Sequence, residues 1–172
     1  WGARRSTLVV VGAAPMTLSP SSVQPTDPRD PAGEADGTYR QLFERSPDAL
    51  VIFEGDTFLD CNASTVRMLG YASKEQLLVL HPSQISPPIQ PDGRDSHEKA
   101  AECIRRAFEE GSLRFEWDHQ RADGEVFPVE VLLTVVHWKG RDVLHGVLRD
   151  LTERKRLEQQ LQHALKMEAV GQ

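Results

Sequence analysis

Between Val143 and Leu165 the apolar residues change their spacing, and the change falls on Asp150-Leu151-Thr152. Before that point they alternate as in a strand; after it they recur at Leu157, Leu161 and Leu165. A shift of period from 2 to about 3.6 across an Asp/Thr pair marks a last strand running straight into a helix that leaves the sheet. Such an arrangement suits a part that transmits a change, not a complete enzyme. Residues 152–172 are therefore expected to form an exported helix.

Upstream, the pattern gives an α+β domain over 38–151. A short helix is predicted at 38–46 and a strand at Ala49–Phe53. Glu54-Gly55-Asp56 then forms a hairpin turn before a second strand at Thr57–Cys61. Asn62 fits an N-cap, with Gly70 as the stop of a short helix; Ser73 starts another. His81 to Asp95 contains Pro82, Pro87, Pro88, Pro91 and Gly93, too many breakers for an element longer than one turn. Asp95 or Ser96 begins a longer helix that Gly111 ends. Strands at 113–121, 126–138 and 141–149 follow, separated by Ala122-Asp123-Gly124 and Lys139-Gly140. Two strands, a helical excursion and a three-stranded meander imply one antiparallel sheet with helices on one face.

Residues 1–37 read differently. Five of the 11 prolines lie between Pro15 and Pro31, and no aromatic residue occurs between Trp1 and Tyr39. Such a segment buries too little apolar area to offset its ordering entropy, so it is expected to be a tail or linker. Leu8–Ala14, after Arg4-Arg5, is far shorter than the ~20 residues of a membrane span. It sits at the lower limit for a signal-peptide core, so that reading stays open. The chain opens on Trp1 and not Met, which leaves its natural start open as well.

Composition narrows the function classes. With 20 Lys and Arg against 26 Asp and Glu, the net charge is −6, and Arg154-Lys155-Arg156 is flanked by Glu153 and Glu158. No basic surface for nucleic acid is expected. Cys61 and Cys103 are expected as two buried thiols, in keeping with a reducing, cytoplasmic setting or the cytoplasmic part of a membrane-associated sensor. No metal-ligand cluster or ATP-binding glycine-rich motif is apparent, so no catalytic residue is assigned.

Five segments carry a resemblance to the PAS sensor family. They are Ser46-Pro-Asp-Ala-Leu-Val-Ile-Phe53, Phe58-Leu-Asp-Cys-Asn62, Leu69-Gly-Tyr71 with Ser73-Lys-Glu-Gln-Leu77, Arg121-Ala-Asp-Gly-Glu-Val-Phe-Pro-Val-Glu130, and Gly146-Val-Leu-Arg-Asp-Leu-Thr-Glu-Arg-Lys155. The resemblance implies a five-stranded sheet in the order 2-1-5-4-3 with a pocket between sheet and helices. It also implies that Asp150 and Thr152 couple the sheet to the helix; Asp150 is expected as its N-cap, with Glu153 completing a capping box. Leu161 to Gln172 is similar to the start of the dimerisation helix of sensor histidine kinases. That similarity implies a two-component protein, with a kinase catalytic region further along and a response regulator as partner. The same module would equally suit a cyclic-dinucleotide cyclase or phosphodiesterase, or a purely protein-binding role.

Candidate pocket residues follow. Asp60 should face water, which turns Leu59 and Cys61 inward. The family's placement adds Leu50, Ile52, Thr65 and Leu69; Phe115, Trp117, Val131 and Leu133 complete the wall. The alternative is that these residues simply fill a core around no ligand. Haem-binding relatives use a histidine on the long helix, but His97 stands at its first turn, too early for ligation. Flavin relatives use an Asn-Cys-Arg motif, whereas Cys61 precedes Asn62. Neither cofactor is expected, and an unidentified small ligand is more plausible than either. His163 lacks the acidic neighbour of a phospho-accepting histidine and reads as an exposed helical residue. Leu157, Leu161 and Leu165 are spaced four and four, a stutter of the heptad, and are expected to pair two copies in a parallel coiled coil.

Overall fold

The computed structural model describes residues 31–171, so the expectations for 1–30 lie outside the described residues. Helix α1 spans Pro31–Arg45, starting seven residues before the predicted Thr38. Proline is compatible with a first helical turn because the N–H it lacks has no intrahelical partner there. Strands β1 (Ala49–Glu54) and β2 (Thr57–Cys61) form a hairpin, followed by α2 (Ala63–Leu69) and α3 (Lys74–Leu78). A single 3₁₀ turn at Pro82–Ile85 is the one regular element in the proline-dense stretch before α4 (Ser96–Glu110). Strands β3 (Ser112–Gln120), β4 (Val126–Trp138) and β5 (Arg141–Asp150) close the domain, and α5 (Thr152–Val170) leaves it. The sheet is antiparallel throughout, in the order β2-β1-β5-β4-β3.

The ends of these elements have local causes. Asn62 accepts from the Thr65 N–H and Ser73 from the Gln76 N–H, while Asp95 accepts from both His97 and Glu98. Gly70 and Gly111 stop α2 and α4 in the left-handed conformation, at φ 73° and 81°. Asn62 does more than cap. Its side-chain oxygen also accepts from the Leu50 N–H (3.0 Å), and its amide donates to the carbonyls of Phe43 (3.0 Å) and Asp48 (2.9 Å). A fully enclosed side chain with every hydrogen-bonding group used thus fixes the end of α1, β1 and α2 to one another.

Helices α2 to α4 cover one face of the sheet, over a core that includes Val51, Phe53, Phe58, Trp117 and Leu144. The other face carries a second cluster of Leu50, Ile52 and Val143, to which α1 contributes Phe43. β1 is consequently buried on both sides, from Ala49 to Phe53. Cys61 and Cys103 are both buried and free. No described helix is long and apolar enough to cross a membrane.

Candidate functional site

An apolar cavity of about 80 Å³ lies between the sheet and α4. Its floor comes from β1 to β5, its roof from Ala100, Cys103 and Ile104 of α4, and one side from Pro82, Ile85 and Ser86. Four of the sequence candidates, Phe115, Trp117, Val131 and Leu133, line it. Phe115 and Trp117 meet edge to face, with ring centroids 5.9 Å apart.

The other six candidates do not line it. Leu50, Ile52 and Leu59 lie on the opposite face, and Val51, Phe53 and Phe58 take their places on the cavity. Cys61, Thr65 and Leu69 are buried in the same core but away from the cavity. Two physical causes account for the difference. A bulge places Leu59 as an extra residue between the Ile52–Asp60 and Phe53–Phe58 pairs, so strict alternation along β2 fails. Asp60 also does not simply face water: it is ion-paired with Lys74 of α3 and accepts from the Cys61 N–H. Thr65 is engaged elsewhere, donating through its hydroxyl to the Leu50 carbonyl at 2.7 Å.

Two polar side chains that sequence reasoning did not place in the wall, Ser86 and His119, stand at one side of the cavity. Trp117 donates its indole N–H to Ser86 Oγ at 3.0 Å. His119 Nδ1 lies 2.8 Å from the Ile85 carbonyl oxygen and 3.5 Å from Ser86 Oγ. Burial pushes the His119 imidazole down to about 4, against the smaller upward pull of the Ile85 carbonyl, so the ring is neutral at pH 7. Beside them Gln90 bonds the Asp118 backbone in both directions (2.9 and 3.2 Å), and Ser96 bonds Gln90 and the Pro87 carbonyl. The proline-dense stretch is therefore tied to β3 at several points despite its lack of regular structure. The signal for His119 was present, since it shares a face of β3 with Trp117; nothing local marked Ser86 or Gln90.

The strand–helix junction lies at the end of the same sheet. Asp150 accepts from the Thr152 N–H at 2.8 Å and pairs with Arg121 at 2.8 Å. The N-cap position itself belongs to Leu151, without a side-chain cap, and Glu153 bonds Arg156 rather than closing a capping box. The reason is positional: Leu151 is held in the sheet by its N–H on the Pro128 carbonyl (2.9 Å), which delays the first helical residue to Thr152. Burial raises the Asp150 carboxyl, but the hydrogen bonds from Thr152 and Arg121 outweigh it and hold it below the usual carboxylate range. Arg121 gathers several elements at once. Its guanidinium stacks 3.6 Å from the Phe127 ring centroid, bonds Glu125 at 2.8 Å and donates to the Met68 carbonyl at the end of α2.

Beyond the junction α5 touches the domain through Lys155, which pairs with Glu116 of β3 at 2.6 Å. Leu157, Leu161 and Leu165 are exposed by 51%, 61% and 56%. His97 is exposed at the start of α4, away from the cavity lining, with its ring 5.4 Å from that of His81.

The sheet order, the helices over one face, the cavity between them and the exported helix together describe one family, and the PAS domain family matches residues 47–153. This chain belongs to that family. A relative in Methanosarcina acetivorans, a methyl sulfide methyltransferase-associated sensor, is 29% identical over 143 residues. The alignment covers 82% of this chain and only 14% of that protein. Among solved structures, a PAS domain from a two-component sensor histidine kinase superposes with a TM-score of 0.55 at 22% identity, covering 69% of this chain and 98% of that one. A PAS domain from Colwellia psychrerythraea gives a TM-score of 0.57 at 21% identity, over 69% and 98% of the two chains.

Proposed function

We propose that this PAS domain is the sensory and dimerisation module of a longer signalling protein, a sensor histidine kinase acting in a cytoplasmic two-component pathway. A small molecule in the cavity is the input, and α5 is the output. The observation that carries this reading is the bare leucine face of α5: three leucines on one stripe of a helix held to its domain chiefly at its first turn. A second copy of the same helix covers that face in parallel, and the phospho-accepting and catalytic regions follow further along, with a response regulator as their partner. Signal transfer requires that the ligand favour one of two packings of the paired helices, through Asp150, Thr152 and Arg121. The similarity of Leu161–Gln172 to a kinase dimerisation helix supports this output over a cyclic-dinucleotide enzyme or a ligand-free interaction domain.

Sedimentation equilibrium on the chain tests the dimer. The wild type is expected as a dimer and the Leu157→Gln, Leu161→Gln, Leu165→Gln triple variant as a folded monomer. An unchanged association state would refute pairing through α5. The coding sequence directly downstream of Gln172 tests the kinase: a histidine followed by an acidic residue and then Asn is expected, and a cyclase signature there would remove it.

A further inference from the structure

Among the described residues, the cavity wall carries no charge at pH 7. It holds no Asp, Glu, Lys or Arg, and its titratable side chains are Cys103 and His119. Burial pushes the Cys103 thiol up and the His119 imidazole down to about 4, so both are neutral. Lys99 lies over the Trp117 ring, 5.4 Å from its centroid, but its ammonium is already paired with Asp92 at 2.9 Å. A charged guest would therefore give up its hydration without meeting a free counter-charge.

The polar side chains of the wall are engaged with one another and with the backbone. The Trp117 indole N–H donates to Ser86 Oγ at 3.0 Å, and His119 Nδ1 lies 2.8 Å from the Ile85 carbonyl oxygen. Every fully enclosed side-chain nitrogen and oxygen among the described residues has a partner, so none is left for a guest to complete. A hydroxyl or amide on the guest would exchange its hydrogen bonds with water for a hydrocarbon surface. What the wall does offer is apolar contact. Phe53 meets Phe58 edge to face at 6.2 Å between ring centroids and Phe115 meets Trp117 at 5.9 Å, with aliphatic side chains of β4, β5 and α4 completing the surface. Taking apolar area out of water is then the force that fills the cavity.

We infer that the cavity takes an uncharged apolar ligand, a hydrocarbon-like ring or chain held by contact with Phe53, Phe115, Val131, Leu133 and Ile104 and not by hydrogen bonds or ion pairs. This deepens the sensing role proposed above and rests on it. Selectivity then follows apolar area. Each methyl or methylene group buried against the wall raises affinity by roughly fourfold, and a charged group in its place abolishes binding.

The test follows the methyl resonances of the wall by NMR, on the wild-type chain at pH 7, with xenon, toluene, phenol, benzoate and benzylammonium as probes. Xenon has neither a hydrogen-bonding group nor a shape to match, while toluene and phenol differ only by a methyl against a hydroxyl. Xenon should shift the Val131, Leu133 and Ile104 methyls. Toluene should bind at least about tenfold tighter than phenol, and the two ions should leave the wall unshifted. Ala100→Leu adds bulk to the roof and should weaken toluene by about tenfold or more; if that variant does not fold, the wild-type series decides alone. Phenol within about threefold of toluene, or either ion as tight as toluene, overturns the apolar assignment and leaves the cavity as a small-molecule site. If neither xenon nor any ring compound moves a wall methyl, both the assignment and the cavity's sensing role fail.

Discussion

Replacing Asp150 separates two functions of one carboxylate. Its Oδ1 holds the Thr152 N–H and its Oδ2 holds Arg121, both at 2.8 Å. Losing a side-chain acceptor at a helix start costs roughly 0.5–2 kcal/mol, typically about 1. The ion pair is partly exposed, with side chains 32% and 20% accessible, so its share is discounted to roughly 0.2–1 kcal/mol. Arg121 keeps Glu125 and the Met68 carbonyl, so no buried charge is stranded and the larger penalty of a broken buried pair does not apply. Asp150→Ala should therefore destabilise the domain by about 1.2–2 kcal/mol. Asp150→Asn keeps an oxygen for Thr152 and should lose only the ion pair's share, about 0.2–1 kcal/mol.

Urea denaturation of both variants checks the magnitudes, and amide exchange at Thr152 checks the location. Exchange there should accelerate in the Ala variant and stay near wild type in the Asn variant. The pH dependence has a definite sign. The folded pKa of Asp150 is depressed, so its stabilisation is fully present above the unfolded value near 4 and disappears as pH falls through the folded value. The Asp150→Ala deficit should be constant from pH 5 to 8 and shrink below pH 4. Equal losses in both variants, with Thr152 exchange unchanged, would refute the division of labour between the two oxygens. In the longer protein, the Ala variant should uncouple input from output while the domain stays folded; unchanged regulation would show that the junction is only a structural tie.

Two further perturbations report on the cavity and its floor. A Cβ at Gly146 would stand 2.7 Å from Val51 Cγ2, a stiff β-branched side chain. Gly146→Ala should therefore lower stability by about 1–3 kcal/mol in urea denaturation, and an unchanged midpoint would mean that β1 and β5 separate freely. His119 has a depressed folded pKa of about 4, so the unfolded chain binds its proton first. Stability should fall from about pH 6.5 down to pH 4 by up to roughly 3 kcal/mol and level off below. His119→Gln should remove that component, visible as a smaller loss between pH 7 and pH 4.5; an identical loss would place the titration elsewhere.

The topology was legible because its punctuation is local. Gly55, Gly124 and Gly140 mark the turns, all three with positive φ, and the strands they separate end within a residue or two of their predicted bounds. The facing of β1 was not legible. With Phe43 and Val143 on one side and the cavity on the other, Ala49 to Phe53 are all apolar, and a uniform run carries no parity. The β2 bulge then misdirected the one alternation that did carry it, through Asp60. The site's polar half was hidden for a different reason. Ser86 and Gln90 act through contacts with residues about thirty positions away, Trp117 at 3.0 Å and Asp118 at 2.9 Å, and no local pattern encodes such a partner.

The placement of His119 bears on how a ligand in the cavity could reach the exported helix. His119 stands near the end of β3, and Arg121 follows two residues later on the same side of the alternation, a distance of about 7 Å along an extended chain. Arg121 in turn holds Asp150, which holds the first turn of α5. The proposed route from cavity to helix thus passes through one strand end and two side-chain contacts. Coupling along it demands only that a ligand in the cavity alter the position of His119 against Ile85, and that two helix packings lie within the few kcal/mol such a ligand can supply. A weak ligand can bias a pair of nearly balanced states; it cannot drive a steep one. The short chain of contacts and the sparse anchoring of α5 suit a nearly balanced pair.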